Sequence, residues 1–238
     1  MALILNIETS TTVCSVALAD NGKDIIKRES NDEKSHAKLL TLFIDEILNE
    51  SSIKYNQIDA IAVSKGPGSY TGLRIGVSAA KGLCYALDKP LIAINTLQLM
   101  SFGVIYKLKL KKILIEDHEK SLLIPMIDAR RMEVYTAIFK TTGEKVSDVS
   151  AEILDENSYA EILKKNKLIC FGDGAKKAEQ IIHHPNLIFI PEIYPSAEDM
   201  VMLSQEIYDT RKFENTAYFE PFYLKDFIAT IPKKNIFG

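Results

Sequence analysis

Two carboxylates close apolar runs in this chain, and each is followed by a polar turn. Glu8 ends LILNIE and precedes Thr9-Ser10-Thr11-Thr12, while Asp128 ends LLIPMID and precedes Ala129-Arg130-Arg131. Hydroxyls and turn N–H groups can face a phosphate, so the first turn offers phosphate chemistry. The second replaces the glycines that would let backbone approach a phosphate with two arginines, which pair with phosphate, carboxylate or RNA but do not make a kinase turn. A third segment, Ser64-Lys65-Gly66-Pro67-Gly68-Ser69-Tyr70-Thr71-Gly72-Leu73-Arg74, stands between a strand and a helix. Gly66 and Gly68 permit tight backbone, Pro67 stiffens the turn and Thr71 is placed to cap the helix. Such a loop could hold an anion at a helix N-terminus. It is not a P-loop, because no Gly-Lys-Ser/Thr follows.

Metal and nucleophile chemistry find little here. His36 and His118 are isolated, and the neighbours His183-His184 cannot face one metal from a helix. Cys14, Cys84 and Cys170 form no CxxC pair, and no Gly-x-Ser-x-Gly elbow occurs.

The elements that must position these residues follow from hydrophobic spacing. Residues 3–8, 13–19 and 23–29 read as a strand meander turning at Asp20-Asn21-Gly22, followed by a helix over 35–50, a strand over 58–64, a helix over 73–87 and a strand over 90–94. A helical piece from Thr96 and a charged connection over 107–120 lead to Leu122, where the pattern restarts. At an offset of 120 residues Leu3-Ile4 faces Leu123-Ile124, Ile7 faces Ile127, Glu8 faces Asp128 and Ala17 faces Ala137. The second half continues with a helix over 158–165, a strand over 168–171, a helix after Gly172-Asp173-Gly174 and another opened by Ser196, for which Ser196 and Asp199 suggest a cap. Two related α/β lobes, 1–105 and 106–238, are the simplest reading.

Bulk properties bound the function. With 47% hydrophobic and 26% charged residues the chain has a globular composition, and a net charge of −3 disfavours a surface that grips nucleic acid everywhere, so any RNA role would be shared with a partner. No leader pattern opens the chain and every apolar run is broken by charge, so a cytoplasmic protein without a membrane contact is expected.

Duplicated βββαβα lobes with a carboxylate ending the first strand resemble the actin-like (ASKHA, ribonuclease H-like) ATPases and sugar kinases, in which phosphates lie between two hairpins and a carboxylate helps hold hydrated metal. That plan makes Glu8, Ser10, Asp128, Gly172 and Gly174 candidates for a vestigial nucleotide site. More specifically, LILNIETST, SHAKLL, GPGSYTGLRIG, DARRMEVYTA and PFYLK, spread in this order over nearly the whole chain, resemble the TsaB (YeaZ) family. Gly66, Pro67, Gly68, Tyr70, Thr71, Gly72 and Arg74 form its signature loop. Glu8 stands where many relatives carry Asp, and Lys225 where the ending is often Arg.

The resemblance implies a paralogue of the TsaD-type transferase that lacks its His-x-x-x-His metal pair. Its role would be a non-catalytic partner and dimerization subunit in forming threonylcarbamoyladenosine at position 37 of tRNAs reading ANN codons. Implied partners are the TsaD-type subunit, a TsaE-type ATPase, tRNA through the complex, and a second copy of the chain when alone. No metal site and no firm cofactor are implied, with weak ATP or ADP and magnesium as the residual ligand. The alternatives are an actin-like phosphotransferase using Glu8 and Asp128 around magnesium-ATP, and a glycoprotease-like peptidase.

On the first helix Leu39, Leu40, Leu42, Phe43, Ile44, Ile47 and Leu48 sweep more than half the circumference at ~100° per residue, more than one core is expected to bury. On the second, Gly76, Ala79, Ala80 and Leu83 form a small-residue face that admits a close helix, with Arg74, Ser78, Lys81 and Tyr85 opposite. The resemblance places a partner on these helices, at Leu39, Leu40, Phe43, Ile47, Ile75, Gly76, Ala79, Ala80 and Leu83. Arg130, Arg131, Lys176 and Lys177 are candidate RNA contacts for which solvated surface is the plainer reading.

Overall fold

Leu3–Glu8 has a strand neighbour on each side, and from Ile4 onward every residue is buried, which is why the run is apolar without alternation. The computed structural model describes residues 2–31, 36–116 and 118–225. The chain runs β1 (Leu3–Glu8), β2 (Cys14–Asp20), β3 (Lys23–Ser30), α1 (His36–Glu50), β4 (Ala60–Gly66), α2 (Tyr70–Leu87), β5 (Leu91–Asn95) and α3 (Thr96–Lys109). It continues with β6 (Leu122–Asp128), β7 (Glu133–Thr136), β8 (Phe139–Lys140), β9 (Ser150–Ile153), α4 (Ala160–Leu163), β10 (Leu168–Phe171), α5 (Ala175–Ile181), β11 (Leu187–Ile190) and α6 (Val201–Asp209).

The first sheet has the order β3-β2-β1-β4-β5 and the second β9-β7-β6-β10-β11, with β8 pairing on β6. In each, the central strand pairs antiparallel with the next strand in the chain and parallel with a later one: Glu8 lies opposite Ser15 and Asp128 opposite Val134, while Ile4 is beside Ala60 and Leu122 beside Leu168. The repeated order puts Glu8 and Asp128 at equivalent points, as the 120-residue offset suggests.

The α3 helix is apolar almost all round, which fits a buried helix. Leu97, Met100 and Val104 join Ile4, Ala62 and Ile92 of the first sheet to Leu123, Ile127 and Phe171 of the second in one core. The expected lobe boundary at 105/106 therefore falls within α3. Downstream, α6 packs back on β1, β3 and β5.

On the other face of the first sheet, Leu40, Phe43, Ile44, Ile47 and Leu48 of α1 are all buried against Leu5, Ile7, Val16 and Leu18. The broad apolar sweep of α1 is thus consumed at home, each such side chain contributing roughly 1.5–3 kcal/mol by burial. Arg28 ties β3 to the outer side of α1 by ion pairs with Glu46 and Glu50.

Two caps differ from expectation. The α2 helix starts at Tyr70 because the Ser69 hydroxyl accepts the Gly72 N–H at 3.3 Å, leaving Thr71 inside the first turn. Ser196 does not cap: its hydroxyl donates to Glu29 at 2.6 Å, and a 3₁₀ turn, Ala197–Met200, leads into α6. The expected first-helix start at Ser35 lies outside the described residues.

Candidate functional site

The turn after β1 is folded inward. Glu8 is fully buried, its Oε1 accepts the Ser10 N–H at 2.5 Å, and the Ser10 and Ser64 hydroxyls lie beside it. Burial pushes its carboxyl up to about 7, outweighing the hydrogen bonds that favour the anion. Beyond it the turn is clasped by the signature segment: the Thr9 hydroxyl donates to Gly72 O at 2.8 Å and Ser69 N–H to Ser10 O at 2.6 Å. A Cβ at Gly68 would run into Ser10 O, one at Gly72 into Thr9 O and one at Gly76 into the Thr9 hydroxyl. The four-residue spacing of these glycines therefore makes a groove for the chain's own hairpin.

The second turn is held differently. Asp128 Oδ1 accepts the Arg130 N–H at 2.6 Å and the Lys177 ammonium at 2.8 Å, and Lys177 also reaches Glu133 O at 3.0 Å. Asp173, whose carboxyl burial raises, accepts the Asp128 N–H at 3.0 Å. Arg130 and Arg131 both have positive φ, 69° and 50°, a region that costs a side-chain-bearing residue roughly 1–2 kcal/mol. Gly172, at φ 104°, and Gly174 have no room for a Cβ against the backbone of Met126 and Ile127, so both seat β6.

Between the turns lies a cleft of about 940 Å³, with Ser10, Thr11, Thr12 and residues 67–72 on one wall and Asp128–Arg131 with Asp173 on the other. Of the five nucleotide-site candidates, Ser10 and Asp128 line it; Glu8, Gly172 and Gly174 do not. A magnesium nucleotide fits these residues poorly, since Glu8 is sealed away and Asp128 is already neutralised by Lys177.

A C-terminal strap over residues 214–225 crosses the signature loop. Glu214 N–H donates to Leu91 O at 2.9 Å, Phe222 N–H to Lys65 O at 2.7 Å, and the Lys81 ammonium to Phe219 O at 2.8 Å. Tyr223 packs on Tyr70 with ring centroids 5.0 Å apart, Arg74 lies over the Tyr70 ring at 4.4 Å, and Lys225 pairs with Glu133 across the cleft. The signature residues Tyr70 and Arg74 thus meet the PFYLK segment, a link between strings 149 residues apart that sequence alone did not reveal.

On the helix faces the expected partner contacts separate. Leu40, Phe43, Ile47 and Ala80 are buried in the chain's own core, and Gly76 seats Thr9; these five are not surface contacts. Leu39, Ile75, Ala79 and Leu83 remain half-buried along the outer edge. Beside them Leu42 is 45% and Tyr85 89% exposed, and a Cβ at Gly82 would meet nothing within 4 Å. Gly82 was missed as a candidate, although it continues the small-residue spacing from Ala79.

A mixed five-strand order repeated within one chain, with a cleft between the turns that end the two central strands, defines the actin-like α/β class. The family model described as TsaD, tRNA N6-adenosine threonylcarbamoyltransferase, matches residues 29–233. The chain is 31% identical to the tRNA threonylcarbamoyladenosine biosynthesis protein TsaB of Haemophilus influenzae, over 94% of this chain and 93% of that one. It is 28% identical to TsaB of Escherichia coli, over 95% and 96%. The solved structure of YeaZ from Pseudomonas aeruginosa superposes with a TM-score of 0.78 at 25% identity, covering 94% of this chain and all of that one. The chain belongs to the TsaB family. Among the described residues no helix is long and apolar enough to cross a membrane.

Proposed function

We propose that this chain is a non-catalytic subunit in the formation of threonylcarbamoyladenosine on tRNA, docking through the outer edge of α2 onto a TsaD-type transferase. In the same reading it works with a TsaE-type ATPase, meets tRNA through the complex, and pairs with a second copy of itself when alone, in the cytoplasm. The observation that carries the reading is the open edge of α2, where half-buried Ile75, Ala79 and Leu83 run beside Gly82 and near the exposed Tyr85. A small-residue edge lets a partner helix approach closely, and a stable contact of about 1,600 Å² in total needs such helices from both sides.

The closed state of Glu8 and the Lys177-paired Asp128 support a non-catalytic role. The division into lobes 1–105 and 106–238 belongs to the same proposal, with α3 and the returning segment 197–225 as the tie between them. Activation of a partner requires tighter binding to its competent state. The test is transferase activity with this chain omitted, then restored as wild type or as Gly82→Arg. Activity that needs wild type and is not restored by the variant supports the proposal; full activity of the transferase alone contradicts it.

A further inference from the structure

The geometry points to a second binding surface: the cleft between the two turns is a groove for a single-stranded stretch of RNA, with phosphates on Arg130 and Arg131 and bases beside the Tyr70–Tyr223 corner. Arg130 and Arg131 are exposed, line the cleft and form no ion pair among the described residues. Of the neighbouring carboxylates, Asp128 pairs with Lys177 and Glu133 with Lys225, while Asp173 accepts the Asp128 N–H and burial raises its carboxyl toward the neutral form. Two guanidinium groups without an ion pair therefore share the cleft with the hydroxyls of Ser10, Thr11 and Thr12.

Both arginines sit in a backbone conformation that glycine or asparagine would adopt more readily. The left-handed turn holds the two side chains, consecutive in the chain, at the mouth of the cleft. A groove that carries both unpaired arginines and aromatic side chains suits unpaired nucleic acid, whose bases stack and whose backbone is neutralised. A mononucleotide is disfavoured by the sealed Glu8, the paired Asp128 and the packed Gly172 and Gly174. The overall charge of −3 is compatible with this, because the contact calls only on the two unpaired arginines of the cleft wall. The choice of RNA rests on the function proposed above.

The test is fluorescence anisotropy of a short labelled single-stranded oligoribonucleotide with the full chain, across a salt series and with magnesium-ATP as competitor. The variant is Arg130→Gly with Arg131→Gly, which keeps the fold because glycine suits both positions. Binding at least about tenfold weaker in the variant, with a salt slope smaller by roughly 1.4 for two single-strand phosphate contacts, is expected. Equal affinity and slope in the two proteins, or binding of magnesium-ATP in place of the oligonucleotide, would overturn the inference. Gly82→Arg separates the two readings: it breaks the complex with the transferase and leaves oligonucleotide affinity unchanged. If docking on the transferase fails while the cleft still binds RNA, only the function proposed above is lost.

Discussion

The Thr9 hydroxyl donates to the carbonyl of Gly72 at 2.8 Å, and a Cβ at Gly72 would collide with the carbonyl oxygen of Thr9. The signature glycines therefore receive the chain's own first hairpin. In doing so they fix the start of α2, the helix whose outer edge is proposed to meet a partner. A loop with the composition of an anion cradle becomes a mechanical link between β1 and α2.

Gly72→Ala tests that link. The added methyl meets backbone, which cannot rotate away, so a destabilisation of about 3 kcal/mol is expected, at the upper end of overpacking costs. Urea unfolding measures it; a change within 0.5 kcal/mol either way, roughly that of an ordinary surface substitution, would mean that the hairpin is not seated as described.

Glu8 makes stability depend on pH with a defined sign. Its folded pKa of about 7 lies above the ordinary 4.5, so the folded state holds the proton more tightly. The contribution of Glu8 is intact below about pH 4.5 and is lost as pH rises through 7. Glu8→Gln keeps an acceptor for the Ser10 N–H and removes the ionisation. The variant should match wild type near pH 4.5 and exceed it above pH 7 by up to on the order of 3 kcal/mol, as read from unfolding curves across that range. A difference that does not grow with pH would contradict the burial of this carboxyl.

The strap over residues 214–225 should loosen when its aromatic anchor is removed. Tyr223→Ala loses the ring contact with Tyr70 and the hydrogen bond from Arg74, interactions worth roughly 1–2 kcal/mol together. Faster amide exchange at Phe222 and Glu214, with α3 unaffected, is expected; unchanged exchange would show that the strap is held elsewhere.

Much of the fold is legible in the residues. The strands at 3–8 and 168–171 were bounded correctly because each apolar run is closed by a turn signal, a carboxylate with hydroxyls or Gly172-Asp173-Gly174. The short strands β8, β9 and β11 escaped, β9 as a weakly patterned edge of mixed polarity and β11 because LIFI lacks the closing glycine turn that marks the equally short LICF. On α1 the apolar sweep suggested a partner, but β2 and α2 bury five of its side chains, and periodicity cannot count the neighbours a helix will have.

The site was legible in parts only. The signature loop and the two carboxylates stood out by residue type, yet what they touch depends on pairings across 63 and 149 residues that spacing does not encode. The role of Lys177 in neutralising Asp128 depends on a similar pairing, 49 residues apart. Gly82 could have been found from the spacing of small residues on α2, and its value as a probe comes from the open space around it.

Light-scattering chromatography of this chain with a TsaD-type subunit, comparing wild type with Gly82→Arg, tests the docking surface most directly. The substitution adds helix propensity of up to about 1 kcal/mol and meets no atom of its own chain within 4 Å, so its melting temperature should not fall. A mixed complex formed by wild type and lost in Gly82→Arg is the predicted result. A mixed complex that survives the substitution, or none with wild type, would contradict docking through the outer edge of α2.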